Sequence, residues 1–450
     1  MTGTFSSLST ALSALHYNRV AMDVHGSNVA NVGTEGYTRR RVVGESVGAP
    51  SVPALWSRFD GAGTGVRVGS IDRMVDPLLD ARARTEHGEQ FLLDGRSEVL
   101  LRVESGLGEP GDNGVAAALS AYWSAWHDVA NNPGDSAARS QLLARANALT
   151  SAVGSQARLV GTEWSDQSVK LDAVKTEINT IATDLAKLND TIRIGKASDT
   201  QVGTLEDRRD QLTLRLAELA GATSTVAGDG TVEVKVGGAV LVSGSTAHTF
   251  GVGGATALGD PVTLSVGGNA VSVATGTVGA VVSLMDRTLP DYVRRLDEFA
   301  QSLATTVNAQ HTQGFDRAGA AGGAFFTGTT AATLQVALTG PDQVAASAVQ
   351  GTLDNSNADA IAQLSTVDEG YRRLVTDFGA EVASAQRVAD NQRVLTNQVD
   401  ASRESLSGID LDEEMVSMLA HQRAYEAAAR VLTTVDSVLD TLINRTGLVR

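Results

Sequence analysis

The residues best able to do chemistry in this chain are scattered. Seven histidines, His16, His25, His87, His127, His248, His311 and His421, include no HExxH pair that would set two imidazoles on one helix face around a zinc ion. None stands beside a glycine-serine-glycine elbow that would make it the base of a nucleophilic serine. Each alone is an ordinary surface or core residue. Asp412, Glu413 and Glu414 form the densest carboxylate run, but they fall in the first turn of a terminal helix, where complementing the helix dipole accounts for them. Leu205-Glu206-Asp207-Arg208-Arg209-Asp210-Gln211-Leu212 alternates acid and base, and a solvated helix face with local ion pairs explains it more simply than acid–base catalysis. Gly61-Ala62-Gly63-Thr64-Gly65 superficially resembles a phosphate-cradling loop, yet Val66 and Val68 after it alternate as a strand instead of opening a helix. No enzyme activity, cofactor or metal site is expected.

Composition narrows the field further. The 450 residues contain no cysteine, which removes disulfides, thiolate catalysis and cysteine-ligated metals and suits a protein that leaves the cytoplasm. A formal net charge of −16 argues against nucleic acid, whose binding rests on clustered lysine and arginine; the short run Arg39-Arg40-Arg41 reads as a solvated or interface patch. The chain is long enough for two to four domains. Its start lacks the basic, apolar and cleavable segments of a secretory signal, and no stretch approaches a membrane span, so no membrane insertion is expected. Composition alone reads as cytoplasmic.

The elements that must position these residues begin at the two ends. From Ile409 to Thr446, Leu411, Met415, Met418, Tyr425, Ala429, Leu432, Leu439 and Ile443 keep alternating four-and-three spacing if Gln422 and Asp436 fill the gaps, which is a heptad seam. Asp410 followed by Glu413 reads as an N-cap with its reciprocal acid. Phe5, Leu8, Leu12, Leu15, Met22 and Val29 have the same spacing, broken at Arg19 and Gly26. An amphipathic helix needs a partner for its apolar face. The two ends therefore suggest one two-helix stem, although periodicity alone also allows an antiparallel pair inside a globular domain.

Between the ends, Val75 to Ala220 is predicted helical. It has a turn at Asn131-Asn132-Pro133-Gly134 and a hairpin whose first arm carries Leu171, Val174, Ile178, Ile181, Leu185, Leu188 and Ile192. From Gly221 to Gly279, valine and threonine alternate between glycine turns, as in Val232-Glu233-Val234-Lys235-Val236, which predicts a small β domain. Lacking a heptad seam, it is expected to project and to fold by itself. Helix resumes to Ala309, with Pro290 kinking it or marking its start. Phe325-Phe326 are expected to anchor a glycine-rich loop, Leu334 to Leu338 to form a strand, and a long helix from Val367 to Leu406 to return the chain to its beginning.

Ser27-Asn28-Val29-Ala30-Asn31-Val32-Gly33-Thr34-Glu35-Gly36-Tyr37-Thr38-Arg39 resembles the signature that closes the N-terminal helix of flagellar axial proteins. Its Gly36-Tyr37-Thr38-Arg39 ending, the Arg209-Asp210 element and the C-terminal run from Leu411-Asp412-Glu413-Glu414 to Asn444-Arg445-Thr446-Gly447 resemble one family in particular, the flagellar hook-associated proteins 1, the first hook-filament junction proteins. The signature residues are Asn28, Asn31, Thr34, Gly36, Tyr37, Thr38, Arg39, Arg209 and Asp210. What the resemblance implies is a mainly α fold with a smaller outward β insert: residues 1–60 as the first half of a stem and linker, 61–220 and 280–408 as a helical domain in two parts, 221–279 as the insert, and 409–450 as the closing stem helix.

It further implies a structural axial protein, exported without cleavage through the flagellar type III apparatus to the extracellular flagellum, that polymerises at the distal end of the hook and joins hook to filament. Implied partners are other copies in a junction ring, the hook protein, the second hook-filament junction protein, and an export chaperone on the C-terminal helix. The assembly interface would be Phe5, Leu8, Leu12, Leu15, Met22 and Val29 with Leu411, Met415, Met418, Tyr425, Leu432, Leu439 and Ile443. Free monomers are then expected to order their termini only on binding. Another axial protein of hook or rod, or a scaffold carrying a glycan-binding or enzymatic insert, stays as the alternative.

Overall fold

The structure, a computed structural model, describes residues 2–48 and 65–441, with side chains from Ser7 on. Pro50, Pro53, Gly61, Ile443 and the Asn444 to Gly447 motif lie outside those residues, as does the side chain of Phe5. The fold is mainly α with small antiparallel sheets. Helix α1 (Thr2–Ala30) leads into the hairpin β1 (Arg40–Val47) and β2 (Gly65–Arg73), whose register shifts by a bulge between Val43 and Gly44. Four helices follow: α2 (Pro77–Leu107), α3 (Val115–Asn131), α4 (Ser136–Ala197) and α5 (Gly203–Ala220). Asp76 begins α2 by accepting from the Leu78 and Leu79 amides, with Pro77 in the first position where its missing N–H costs nothing. Asp135 caps α4 in the same way.

The β segment makes two sheets. One is β3 (Thr223–Val226), β4 (Val232–Val236), β5 (Ala239–Ser243) and β6 (Thr246–Ala247) in that order; the other is β7 (Phe250–Gly253), β8 (Thr263–Val266) and β9 (Asn269–Val271). Their inward residues, among them Val234, Val236, Leu241, Val242, Phe250 and Val266, belong to the same contiguous core as Ile178, Leu185 and Ile192 of α4. Two asparagines of α4 fasten the sheets. Asn189 donates to the Val232 and Gly244 carbonyls and accepts from the Val232 amide, and Asn179 does the same with both backbone groups of Phe250. The inner face of this segment is therefore shared with α4, which counts against the expectation that it folds by itself.

The helix that resumes is α6 (Gly276–Ser283) and α7 (Leu289–His311), joined without a break by a wider turn at Leu284–Thr288. Pro290 explains that turn. A proline offers no N–H and its ring collides with the carbonyl four residues back, and the Leu289 amide bonding to Leu284, five residues back, opens the helix enough to admit it. Beyond α7, the expected strand shortens to a two-residue ladder of β10 (Phe326–Thr327) and β11 (Gln335–Val336). Phe325 and Phe326 are buried against Tyr122, as expected of loop anchors. Then come α8 (Ser356–Ala362), α9 (Asp368–Ser407) and α10 (Leu411–Asp440).

A three-helix clip holds α2, α5 and α9 together. His87 reaches Glu218 of α5 at 3.4 Å from Nδ1 and Asp400 of α9 at 3.0 Å from Nε2. Glu218's hydrogen bond raises its pKa against the opposing effect of burial, and Asp400 adds to the rise. A raised folded-state pKa stabilises fully below the unfolded value, about 6.5, and the gain is lost as pH rises through the folded value. Wild-type stability, read as the urea midpoint between pH 6 and 9, should fall by about 1 kcal/mol relative to His87→Gln. Parallel pH curves for the two proteins would remove the clip from the account.

Candidate functional site

Helices α1 and α10 pack side by side as a stem within one chain. Its deepest positions are Ala11, Asn18, Ala21 and Asn28 on α1 and Glu414 and Val435 on α10. These sit one residue away from the spacing of the large apolar residues, a rotation of about 100° around each helix. Leu8, Leu15, Met22, Val29, Met418, Tyr425, Leu432 and Leu439 are consequently half-buried along the sides of the seam. Leu12, Leu411 and Met415 point outward at 62%, 43% and 51% exposure, in company with Val416, Leu419, Val431 and Val438. The stem thus has a narrow, partly polar inner seam and an exterior on which exposed apolar side chains stand among charged ones such as Arg423, Glu426 and Arg430.

At its root the stem meets the helical body in a joint built from polar side chains. Asp410 caps α10 by accepting from the Asp412 and Glu413 amides, which sets Glu414 one turn in, facing α1. Glu414 is fully buried. It accepts from Asn28 Nδ2 at 2.9 Å and from Arg39 Nε at 2.7 Å, and lies 2.6 Å from His25 Nδ1. Burial opposes its ionisation, but the bonds from Asn28 and His25 and the charges of His25 and Arg39 outweigh it and hold its carboxyl below the usual glutamate range. Arg39 also donates to Glu413 at 3.0 Å. Glu413 is thus turned toward Arg39 and away from the reciprocal capping role.

Asn28 has every hydrogen-bonding valence filled. Its amide donates to Glu414 and to the Arg40 carbonyl, while its oxygen accepts from the Tyr37 hydroxyl at 2.9 Å and the Arg40 amide at 3.1 Å. The turn between α1 and β1 is held by its own asparagine: Asn31 donates to the Ser27 carbonyl and accepts from the Thr34 hydroxyl. Gly36 closes the turn at φ +75°, a left-handed conformation, and a side chain there would run into Gln211, whose amide donates to the Glu35 carbonyl.

The body's half of the joint is the start of α5. Arg73 donates to Asp207 at 2.8 Å, Asp210 at 2.7 Å and the Thr38 hydroxyl at 3.3 Å. Although burial opposes it, Asp210, Asp207 and Glu206 raise the Arg73 pKa above its ordinary value. Arg40 bonds the other oxygen of Asp207 and lies over the Tyr37 ring. Arg209 bonds Asp210 and reaches the Gly230 carbonyl in the β3–β4 turn. The signature residues are therefore gathered here: Asn28, Asn31, Thr34, Gly36, Tyr37, Thr38 and Arg39 on one side, and Arg209 and Asp210 on the other.

A cavity of about 230 Å³ lies under the joint, lined by Thr38, Arg73, Asp80, Asp207, Asp210 and Arg403. Arg73 and Arg403 pair its carboxylates, the latter with Asp80 at 2.8 Å. Among the described residues no group of histidine and carboxylate side chains is arranged to hold a metal ion, and no helix is long and apolar enough to cross a membrane. What the arrangement does is mechanical: it locks the stem, the turn and α5 in one orientation. Sequence reading did not bring Glu414, His25, Arg73 and Asp207 together; the local signals were the run of three acids opening α10 and the alternating charges from Leu205 to Leu212, neither of which shows its partners across the chain.

Comparisons with known proteins agree with this geometry. Residues 100–326 match the profile of the flagellar hook-associated protein FlgK helical domain. Residues 8–38 match that of the flagella basal body rod protein, and residues 402–445 that of the flagellar basal body rod FlgEFG protein C-terminal. The flagellar hook-associated protein 1 of Bacillus subtilis is 27% identical across 100% of this chain and 99% of its own length. That of Escherichia coli is 22% identical over 98% of this chain and 99% of its own. The solved structure of the flagellar hook junction protein FlgK from Burkholderia pseudomallei superposes with a TM-score of 0.65 at 16% identity, covering 74% of this chain and all of that one.

Proposed function

We infer function from one premise: this chain belongs to the flagellar hook-associated protein FlgK family, whose helical-domain profile spans half of it. It is a structural axial protein of the bacterial flagellum that polymerises at the distal end of the hook and joins hook to filament. The end profiles are named for rod proteins, so the ends alone would leave rod or hook open; the helical domain between them decides for the junction. Export takes the flagellar route to the extracellular flagellum, and the protein's work there is assembly, without catalysis.

The observation that carries this reading is the set of apolar side chains exposed on the stem. Exposed apolar side chains near the two ends of α10, Leu411, Met415, Val416 and Leu419 at its start and Val431 and Val438 toward its end, are what a helix keeps for a further partner. In the junction ring that partner is the stem of neighbouring copies, with the hook protein below and the second hook-filament junction protein above. Before export it is a chaperone on α10. The assembly interface comprises Phe5, Leu8, Leu12, Leu15, Met22, Val29, Leu411, Met415, Met418, Tyr425, Leu432, Leu439 and Ile443.

Met415→Asp tests it. Met415 is half exposed and off the inner seam, so thermal unfolding of the purified protein should stay within about 0.5 kcal/mol of wild type. An unpaired charge in an intersubunit apolar contact costs several kcal/mol, so incorporation into hook-filament junctions in cells should be lost, whereas Arg430→Gln should incorporate. Normal junctions built from the Met415→Asp protein would sink the interface.

A further inference from the structure

An open pocket of about 860 Å³ lies between β1, β2, the first turns of α2, the α4–α5 turn, the start of α5 and β3. Neither α1 nor α10 contributes to its lining, so the pocket does not need the stem to be closed. Four of its five cations are committed within the chain: Arg40 pairs with Asp207 at 2.9 Å, Arg73 with Asp210 at 2.7 Å, Lys196 with Glu206 at 2.8 Å and Arg209 with Asp210 at 3.0 Å. Arg84 of α2 is the fifth. It is half-buried and, among the described residues, makes no hydrogen bond or ion pair. The carboxylates whose charges reach it are already engaged, Asp80 by Arg403 at 2.8 Å and Asp210 by Arg73. Asp72 and Asp199 also line the pocket, but both are exposed and neither pairs with Arg84.

We propose that Arg84 is an assembly contact: in the junction it receives an aspartate or glutamate side chain from a second copy of this chain, which enters the pocket and completes the ion pair that the single chain lacks. The contact rests on the junction role inferred above, which sets copies side by side. Each copy carries 52 carboxylate side chains against 36 lysines and arginines, so a neighbour is rich in the group the pocket needs. Ile71, Pro77 and Val226, the last 62% exposed, offer apolar surface to the methylenes of the entering side chain. Burial lowers the Arg84 pKa, the charges of Asp80 and Asp210 only partly offset that, and Arg403 and Arg209 add to the lowering. Folding thus works against this charge in the single chain, whereas an arginine–carboxylate pair, with its fork of parallel hydrogen bonds, would satisfy it in the assembly.

Two variants of the full chain test it. Arg84→Gln removes an unpaired charge, so the purified protein should melt no lower than wild type, yet it should enter hook-filament junctions at least about tenfold less. Arg84→Lys keeps the charge and adds a primary amine. A zero-length carbodiimide applied to isolated Arg84→Lys junctions should therefore join residue 84 to a carboxylate of another copy, giving a covalent dimer on a denaturing gel that Arg84→Gln junctions lack. Arg84→Gln chains that incorporate like wild type or melt below it, a cross-link from residue 84 that stays within one chain or falls on another protein, or the absence of the dimer would each overturn the contact alone. Wild-type chains missing from junctions would overturn the junction role, and the contact with it.

Discussion

Glu414→Ala should detach the stem from the body without unfolding the body. The carboxylate is the single acceptor on which Asn28, Arg39 and His25 converge, and removing one partner of a buried charged cluster costs about 3–5 kcal/mol because the others are left unpaired. The fully buried Asn28 amide and the mostly buried Arg39 guanidinium would then lose their shared carboxylate. Amide exchange in α1 and α10 should accelerate by a factor of about a hundred or more, while α3, α4 and α7 keep their protection. Glu414→Gln should fall between, since one oxygen can still accept from Arg39. Unchanged exchange in the stem of Glu414→Ala would mean that apolar contacts along the helices hold the joint unaided.

Excising residues 222–275 and bridging the gap with a short linker should cripple the helical domain. The cut strips the cover from Ile178, Leu185 and Ile192 and removes the strand partners of Asn179 and Asn189 at Phe250, Val232 and Gly244. A fully buried aliphatic side chain is worth about 1.5–3 kcal/mol. Even partial exposure of three amounts to roughly 3–5 kcal/mol, or on the order of 10 °C in the melting temperature. Thermal unfolding followed by circular dichroism reads it directly. A truncated protein that melts with the intact one would restore the picture of a self-sufficient insert.

Much of the architecture was legible because helical periodicity is a local signal. The turn at Asn131 to Gly134, the heptad along Leu171 to Ile192, the anchoring of Phe325 and Phe326 and the long closing helices all follow from spacing within a few turns. The rotation of the stem helices was not legible. A stripe of leucines shows that a face is apolar, but not which partner takes it, and here the intrachain partner takes the neighbouring stripe of alanine, asparagine and histidine. The joint was less legible still. Asn28 and Glu414 are separated by 386 residues, and a carboxylate in the first turn of a helix looks the same whether it faces water or an arginine. The β segment was legible as strands but its cover was not, because alternation marks which side of a strand is apolar and is silent on whether a sheet or a helix covers it.

The 62-residue helix α4 has a consequence for how this chain can change over generations. At 1.5 Å per residue it runs about 93 Å, with the α3 turn at one end and both asparagine fasteners toward the other. Adding or losing one residue in its middle swings everything beyond by about 100°, turning Asn179 and Asn189 away from their strands at a stroke. A change of seven residues returns the face to within about 20°. Its length is therefore constrained to steps near whole numbers of turns, such as about 7, 11 or 18 residues, whereas the loops around it tolerate single-residue changes.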